Sequence, residues 1–283
     1  MHITKQLKYL LAIPTLFLLS CNSTDQDADE KIVQSFSAKE PIALYKFNEG
    51  EGRFVHDLSA QEPKLNLEIT NNERSEISWH VMSAINIKPS AYRIEKSSMV
   101  AKLNSMQPAL KINQKIKHAQ AFSVELWFHP DNVEQTGPVR LVSVSSSNSL
   151  RNVTIGHSGK AYDFRVRTSA VNKNGLPSLR TADTYEAKAA LTHIVLTYDQ
   201  QAGANIYIDG SNIPWFFYEG VAPGDQLSGN LEGWDDSYKL IVGDEFTGDR
   251  AWKGKMYQLA FYDYPLSQNE VLQKLSRAGQ VVK

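Results

Sequence analysis

The stretch Phe122-Ser-Val-Glu-Leu-Trp-Phe-His-Pro130 decides how the chain is read. Val124, Leu126 and Phe128 alternate with Glu125 and Trp127, a period of two that places side chains on the opposite faces of an extended strand. Working outward, Tyr162-Asp-Phe-Arg-Val-Arg167 alternates in the same way, with Tyr162, Phe164 and Val166 facing a core. Further strands are expected over 42–47, 139–144, 152–155, 193–198, 205–210, 239–242 and 255–262. Ile208-Asp209-Gly210 at the end of one of them signals a hairpin, because Gly tolerates positive φ. Turn residues separate the strands and no strand–helix alternation appears. The expected fold class is therefore all-β, a sandwich or barrel, and not a doubly wound α/β sheet. One helix is predicted over 265–275. Ser267 and Glu270 form its capping box, Leu266, Val271, Leu272 and Leu275 its buried face, and Gly279 its exit.

Composition agrees with one large folded domain. The chain has 283 residues, 42% of them hydrophobic, which is enough apolar surface to exclude a disordered chain. Lys plus Arg is 30 and Asp plus Glu is 31, so there is no basic excess to neutralise phosphates and no nucleic-acid partner is expected. A single cysteine, Cys21, rules out a disulfide within the chain.

That cysteine has a telling position. Lys5 and Lys8 precede an apolar run from Tyr9 to Leu19, too short to span a bilayer, and the run ends Leu18-Leu19-Ser20-Cys21. The segment resembles a bacterial lipobox. The resemblance implies removal of residues 1–20 and acylation of Cys21, which anchors the mature chain in a lipid bilayer. Asn22 after the cysteine resembles the outer-membrane sorting signal of bacterial lipoproteins. Residues 21–40 are polar and acidic and read as a flexible tether, leaving 41–283 as the domain. Removing residues 1–20 takes away two Lys and no acid, so the mature chain carries a formal charge of -3.

Four segments in order resemble laminin G-like domains of the concanavalin A-like lectin/glucanase superfamily: Leu44–Gly52 with Val55–Ser59, Phe122–Pro130, Ile206–Gly210, and Trp252–Ser267. The resemblance implies a jelly-roll sandwich of two antiparallel sheets, closed by a short C-terminal helix. It also implies a structural calcium, for which Asp57 and Asp263 are the candidate ligands, since calcium takes carboxylate and carbonyl oxygens in loops. Enzymes share this fold, but a retaining glycosidase needs paired carboxylates, and Glu125 stands alone on its strand with Ser123 and Trp127 two positions away. Arg74-Ser75-Glu76 imitates one lyase motif without its companions. The chain contains neither a Gly-x-Ser-x-Gly elbow nor a His-Glu-x-x-His pair.

A binding groove is the expectation that remains. Asp163, Arg165 and Arg167 share the polar face of one strand, Glu125 and Trp127 that of another, and Trp234-Asp235-Asp236-Ser237-Tyr238 sets aromatics beside carboxylates. These residues would suit a polar or acidic polysaccharide or glycan, through bidentate guanidinium contacts and ring stacking. The bland alternative is that the arginines pair with Asp163 and Glu125 across the sheet and that Trp127 is core. The expected function is a lipid-anchored, non-catalytic glycan-binding domain of the cell envelope. A hydrolase or lyase of the same fold, or a module that binds a protein partner, are the alternatives.

Overall fold

The computed structural model describes residues 39–69, 77–80, 91–94, 103–105, 107–135 and 137–281; Cys21, the segment before residue 39 and Arg74-Ser75-Glu76 lie outside them. The element order is β1 (Ala43–Tyr45), β2 (Phe54–Val55), β3 (Leu67–Ile69), β4 (Ile77–His80), β5 (Ala91–Ile94), β6 (Leu103–Ser105), α1 (Leu110–Ala119), β7 (Ala121–Pro130), β8 (Val139–Ser147), β9 (Leu150–Ser158), β10 (Ala161–Val166), β11 (Ser178–Thr181), a 3₁₀ turn (Asp183–Tyr185), β12 (Thr192–Asp199), β13 (Gly203–Ile208), β14 (Ser211–Ile213), β15 (Trp215–Tyr218), β16 (Lys239–Val242), β17 (Gly254–Tyr262) and α2 (Gln268–Val281).

The strands form two antiparallel sheets, as a jelly-roll sandwich requires. An eight-stranded sheet runs β14-β13-β12-β7-β17-β5-β4, with β1 also paired to β17; a nine-stranded sheet runs β15-β11-β10-β9-β8-β16-β6-β3-β2. The alternation at 122–128 has the consequence expected of it. Val124, Leu126 and Phe128 enter the core between the sheets, where they meet Tyr162, Phe164 and Val166 of the facing sheet. Phe128 and Tyr162 touch edge to face at 6.3 Å between centroids.

The hairpin forms as expected: β13 pairs β14 with Ile208 opposite Ser211. Asp209 at φ 48° and Gly210 at φ 83° supply the two positive φ values of a type I′ turn.

The C-terminal helix covers the outer face of the eight-stranded sheet. Ser267 and Glu270 cap it reciprocally: the Ser267 N–H donates to Glu270 Oε2 at 2.8 Å, and the Glu270 N–H to Ser267 Oγ at 3.3 Å. Leu266 and Val271 join Val195, Tyr207, Ala260 and Tyr262 in a second apolar cluster there. Two details differ from the sequence reading. Leu272 remains exposed, and the helix runs on through Gly279, so that glycine is not its exit.

Helix α1 was not foreseen. Its only buried apolar spacing is Ile112 to Ile116, and Ala109 before it offers no side-chain cap. Tertiary contacts hold it instead. The Ala109 N–H donates to the Tyr238 carbonyl at 2.8 Å, and buried Lys111 is ion-paired with Asp57.

Candidate functional site

Alternation sends Glu125 and Trp127 away from the core, onto the face that α2 covers. The Glu125 carboxylate is buried and fully engaged. His193 Nε2 lies 3.1 Å from Oε1, the Tyr262 hydroxyl donates to Oε2 at 2.8 Å, and Lys274 of α2 stands 3.5 Å from Oε2. Burial alone would raise this carboxyl's pKa, but the hydrogen bond from His193 and the charges of Lys274 and His193 outweigh it and hold it below the usual range. Trp127 is 9% exposed and stacks on the His193 ring at 4.4 Å, so the imidazole occupies the face a sugar would need.

Asp163 and Arg165 lie on the outer face of the other sheet, with the whole core between them and Glu125. The structure thus does not bring the two halves of the expected groove together. Asp163 is paired within its own sheet: Arg140 Nη1 reaches its Oδ1 at 3.1 Å, Arg165 Nε at 3.4 Å, and the Ser178 hydroxyl donates to Oδ2 at 2.7 Å. Gly156 makes the first contact feasible. It sits between Arg140 and Asp163 in the register, and a Cβ there would lie 2.0 Å from the Val139 carbonyl oxygen and 3.3 Å from Arg140 Nη1. Arg151 donates to Glu245 Oε2 at 2.6 Å, and Arg165 Nη2 stands 3.6 Å from Glu219. Burial lowers the Arg140 pKa to about 10, against the opposing pull of Asp163.

The Trp234–Tyr238 segment is an anchor. Trp234 packs in the core against Phe122 at 5.2 Å, its indole N–H donating to the Arg167 carbonyl at 2.8 Å, and Tyr238 is also core. The Asp235 carboxylate accepts the Ser237 hydroxyl at 2.6 Å; that bond and the nearby charge of Arg167 lower its pKa. Asp57 accepts backbone N–H groups from Leu44, Ser59 and Leu65 in addition to the Lys111 ion pair. Its carboxyl pKa is low, because these bonds outweigh its burial. An ammonium already stands against the Asp57 carboxylate, where a calcium ion would need a free carboxylate oxygen; Asp263 lies in the turn after β17. Among the described residues, no group of three or more His, Cys, Asp or Glu side chains is placed to hold a metal ion.

What remains open is the far edge of the nine-stranded sheet. There β15 pairs with β11, and Arg180 stands opposite Phe216 while Ser178 stands opposite Tyr218. Phe216 is 47% and Tyr218 37% exposed, on the same outer face as Asp163. The Arg180 guanidinium lies 4.2 Å over the Tyr218 ring. Trp215 and Phe217 point the other way and pack against the core.

A family model described as the concanavalin A-like lectin/glucanases superfamily matches residues 104–272, more than half of the chain. The chain belongs to the concanavalin A-like lectin/glucanase superfamily. Solved structures share this superfamily domain's fold at low identity. The binding domain of botulinum neurotoxin DC, in complex with rat synaptotagmin II, matches at 13% identity and TM-score 0.55, over 84% of this chain and 51% of that one. Botulinum neurotoxin type C, described through its interaction with two ganglioside molecules, matches at 13% identity and TM-score 0.55, over 84% and 51%. A Trypanosoma rangeli sialidase in complex with 2,3-difluoro-KDN matches at 12% identity and TM-score 0.52, over 82% and 32%. The domain therefore spans about half the length of the toxin binding domains and about a third of the sialidase. No curated protein matches the chain.

For a lectin-like domain, the exposed aromatic strip is the feature that sequence reasoning passed over. Its signal was the run Trp215-Phe-Phe-Tyr218 directly after Pro214. Four aromatics in succession show no alternation, so their division between core and solvent became visible only with the pairing of β15 to β11.

Proposed function

We propose that the chain is a non-catalytic glycan-binding domain, held at the bacterial cell envelope, at the outer membrane, by lipid on Cys21. The observation that carries the glycan reading is the exposed pair Phe216 and Tyr218, two rings on one face of an edge strand. Positions two apart on a strand are ~7 Å apart, so Phe216 offers an open apolar plate beside the Tyr218 ring, which Arg180 covers on one face. Such plates suit the C–H faces of a saccharide, while the rim supplies polar groups. Two neighbours of the same fold are named with a ganglioside and with a sugar-acid derivative, which supports the reading by fold analogy alone. The non-catalytic part is supported by Glu125, whose carboxylate is tied to His193, Tyr262 and Lys274 beneath a helix.

A glycan array followed by titration calorimetry on the full chain in detergent tests this. The expected result is binding of at least one saccharide class, with affinity falling at least about tenfold in Phe216→Ala and Tyr218→Ala. No saccharide bound on the array, by a protein with an intact cooperative unfolding transition, rejects it.

A further inference from the structure

The charges around the aromatic strip do not balance, and the imbalance lies at one residue. Asp163 is the Cα partner of Arg180 across β10 and β11 and would be its natural counter-ion. Its carboxylate is instead taken up by Arg140, Arg165 and Ser178. Glu245 is taken up by Arg151, Ser143 and Ser145. Glu219, next along the chain from Tyr218, stands against Arg165. Arg180 is left with the Tyr218 ring alone: among the described residues, no acceptor or carboxylate meets its guanidinium.

That arrangement differs from an idle surface arginine. The guanidinium carbon rests 4.2 Å from the Tyr218 ring centroid, a contact that restricts some of the conformational freedom a binding contact would otherwise have to remove. A guanidinium carries five N–H donors, and a ring contact uses its charge without supplying an acceptor for them. Phe216, opposite Arg180 in the register, places an exposed ring beside it.

We propose that Arg180, Phe216 and Tyr218 form a subsite for a saccharide that carries a carboxylate. Arg180, held against the Tyr218 ring, binds the carboxylate through paired N–H donors, and the exposed Phe216 ring beside it takes the sugar's apolar face. The inference rests on the glycan-binding reading above and narrows it to acidic sugars.

The test is titration of the full chain with pairs of oligosaccharides that share linkage and length but differ in one group, a uronate in one and the neutral hexose in the other. The expected result is at least about tenfold tighter binding of the uronate, the size of one charge-assisted contact. Arg180→Gln should abolish that preference, and Arg180→Lys should restore only part of it, because an ammonium cannot pair bidentately. Raising salt should weaken the uronate complex more than the neutral one. Equal binding of both members, unchanged by Arg180→Gln, overturns the acidic subsite and leaves the glycan reading standing. Binding of neither member, together with an empty glycan array, overturns both. Concentration-dependent self-association that Phe216→Ala abolishes, with no saccharide binding, would assign the strip to a second copy of this chain and overturn the saccharide subsite.

Discussion

Three buried titrating groups make acid the weak side of this fold. The Glu125 carboxyl is held low by His193 and Lys274 against its burial. Asp57 is held low by Lys111 and backbone N–H groups, again against its burial. His157 is lowered by burial, only partly offset by the Gly159 carbonyl 2.9 Å from Nδ1. For all three the folded pKa lies below the unfolded one. Each therefore stabilises the fold above its unfolded pKa and loses that contribution as pH falls. The His157 contribution starts to fade below about pH 6.5, and the two carboxylate contributions below about pH 4. Melting temperature measured from pH 8 to pH 3 should accordingly fall in two limbs. His157→Asn should flatten the upper limb and leave the lower one, since an amide can still donate to the Gly159 carbonyl but does not take up a proton. A profile flat from pH 6.5 to pH 4.5 in the parent chain would contradict this.

At the scale of elements, α1 and α2 are held in different ways. The capping box and apolar face of α2 are written locally, in Ser267, Glu270, Leu266 and Val271, and could be read from the sequence. Helix α1 has no side-chain cap, and its attachment is ionic and remote: Lys111 to Asp57 across more than fifty residues, and Asn113 to the Tyr238 carbonyl at 3.2 Å. Lys111→Met should thus cost about 3–5 kcal/mol in urea unfolding, because it strands a buried carboxylate. Pairing it with Asp57→Leu should recover part of the loss: no buried charge is left behind, although the N–H groups of Leu44, Ser59 and Leu65 lose their acceptor. Equal destabilisation by the single and double variants would show that Asp57 matters for its backbone hydrogen bonds and not for Lys111.

At the scale of the whole molecule, the two sheets have unequal outer faces. One carries α2, whose Lys274 reaches Glu125. The other is filled at its centre by the arginine–carboxylate network and open at β15. On the proposed function, the lipid tether begins at Cys21. Cys21→Ala should move the protein from the membrane fraction to the soluble fraction of a cell expressing it. Unchanged fractionation would reject the anchor.

The all-β class, the facing of β7 and β10, the Asp209-Gly210 turn and the cap of α2 were each determined by the sequence alone. They depend on contacts within a few residues or on a period of two, and both are visible along a chain. Which outer face a residue occupies, and what covers it, was decided only by the tertiary structure. Glu125 and Arg165 look alike as polar residues in alternating strands, yet the core separates them. Trp234 looks like a loop aromatic, yet it is buried against Phe122. Arg180 gave no signal in the sequence, because its lack of a counter-ion among the described residues depends on how Asp163 and Glu219 are shared among strands β8, β10 and β11 and the turn after β15. Charge pairing and burial are long-range properties, and the order of residues along the chain does not encode them locally.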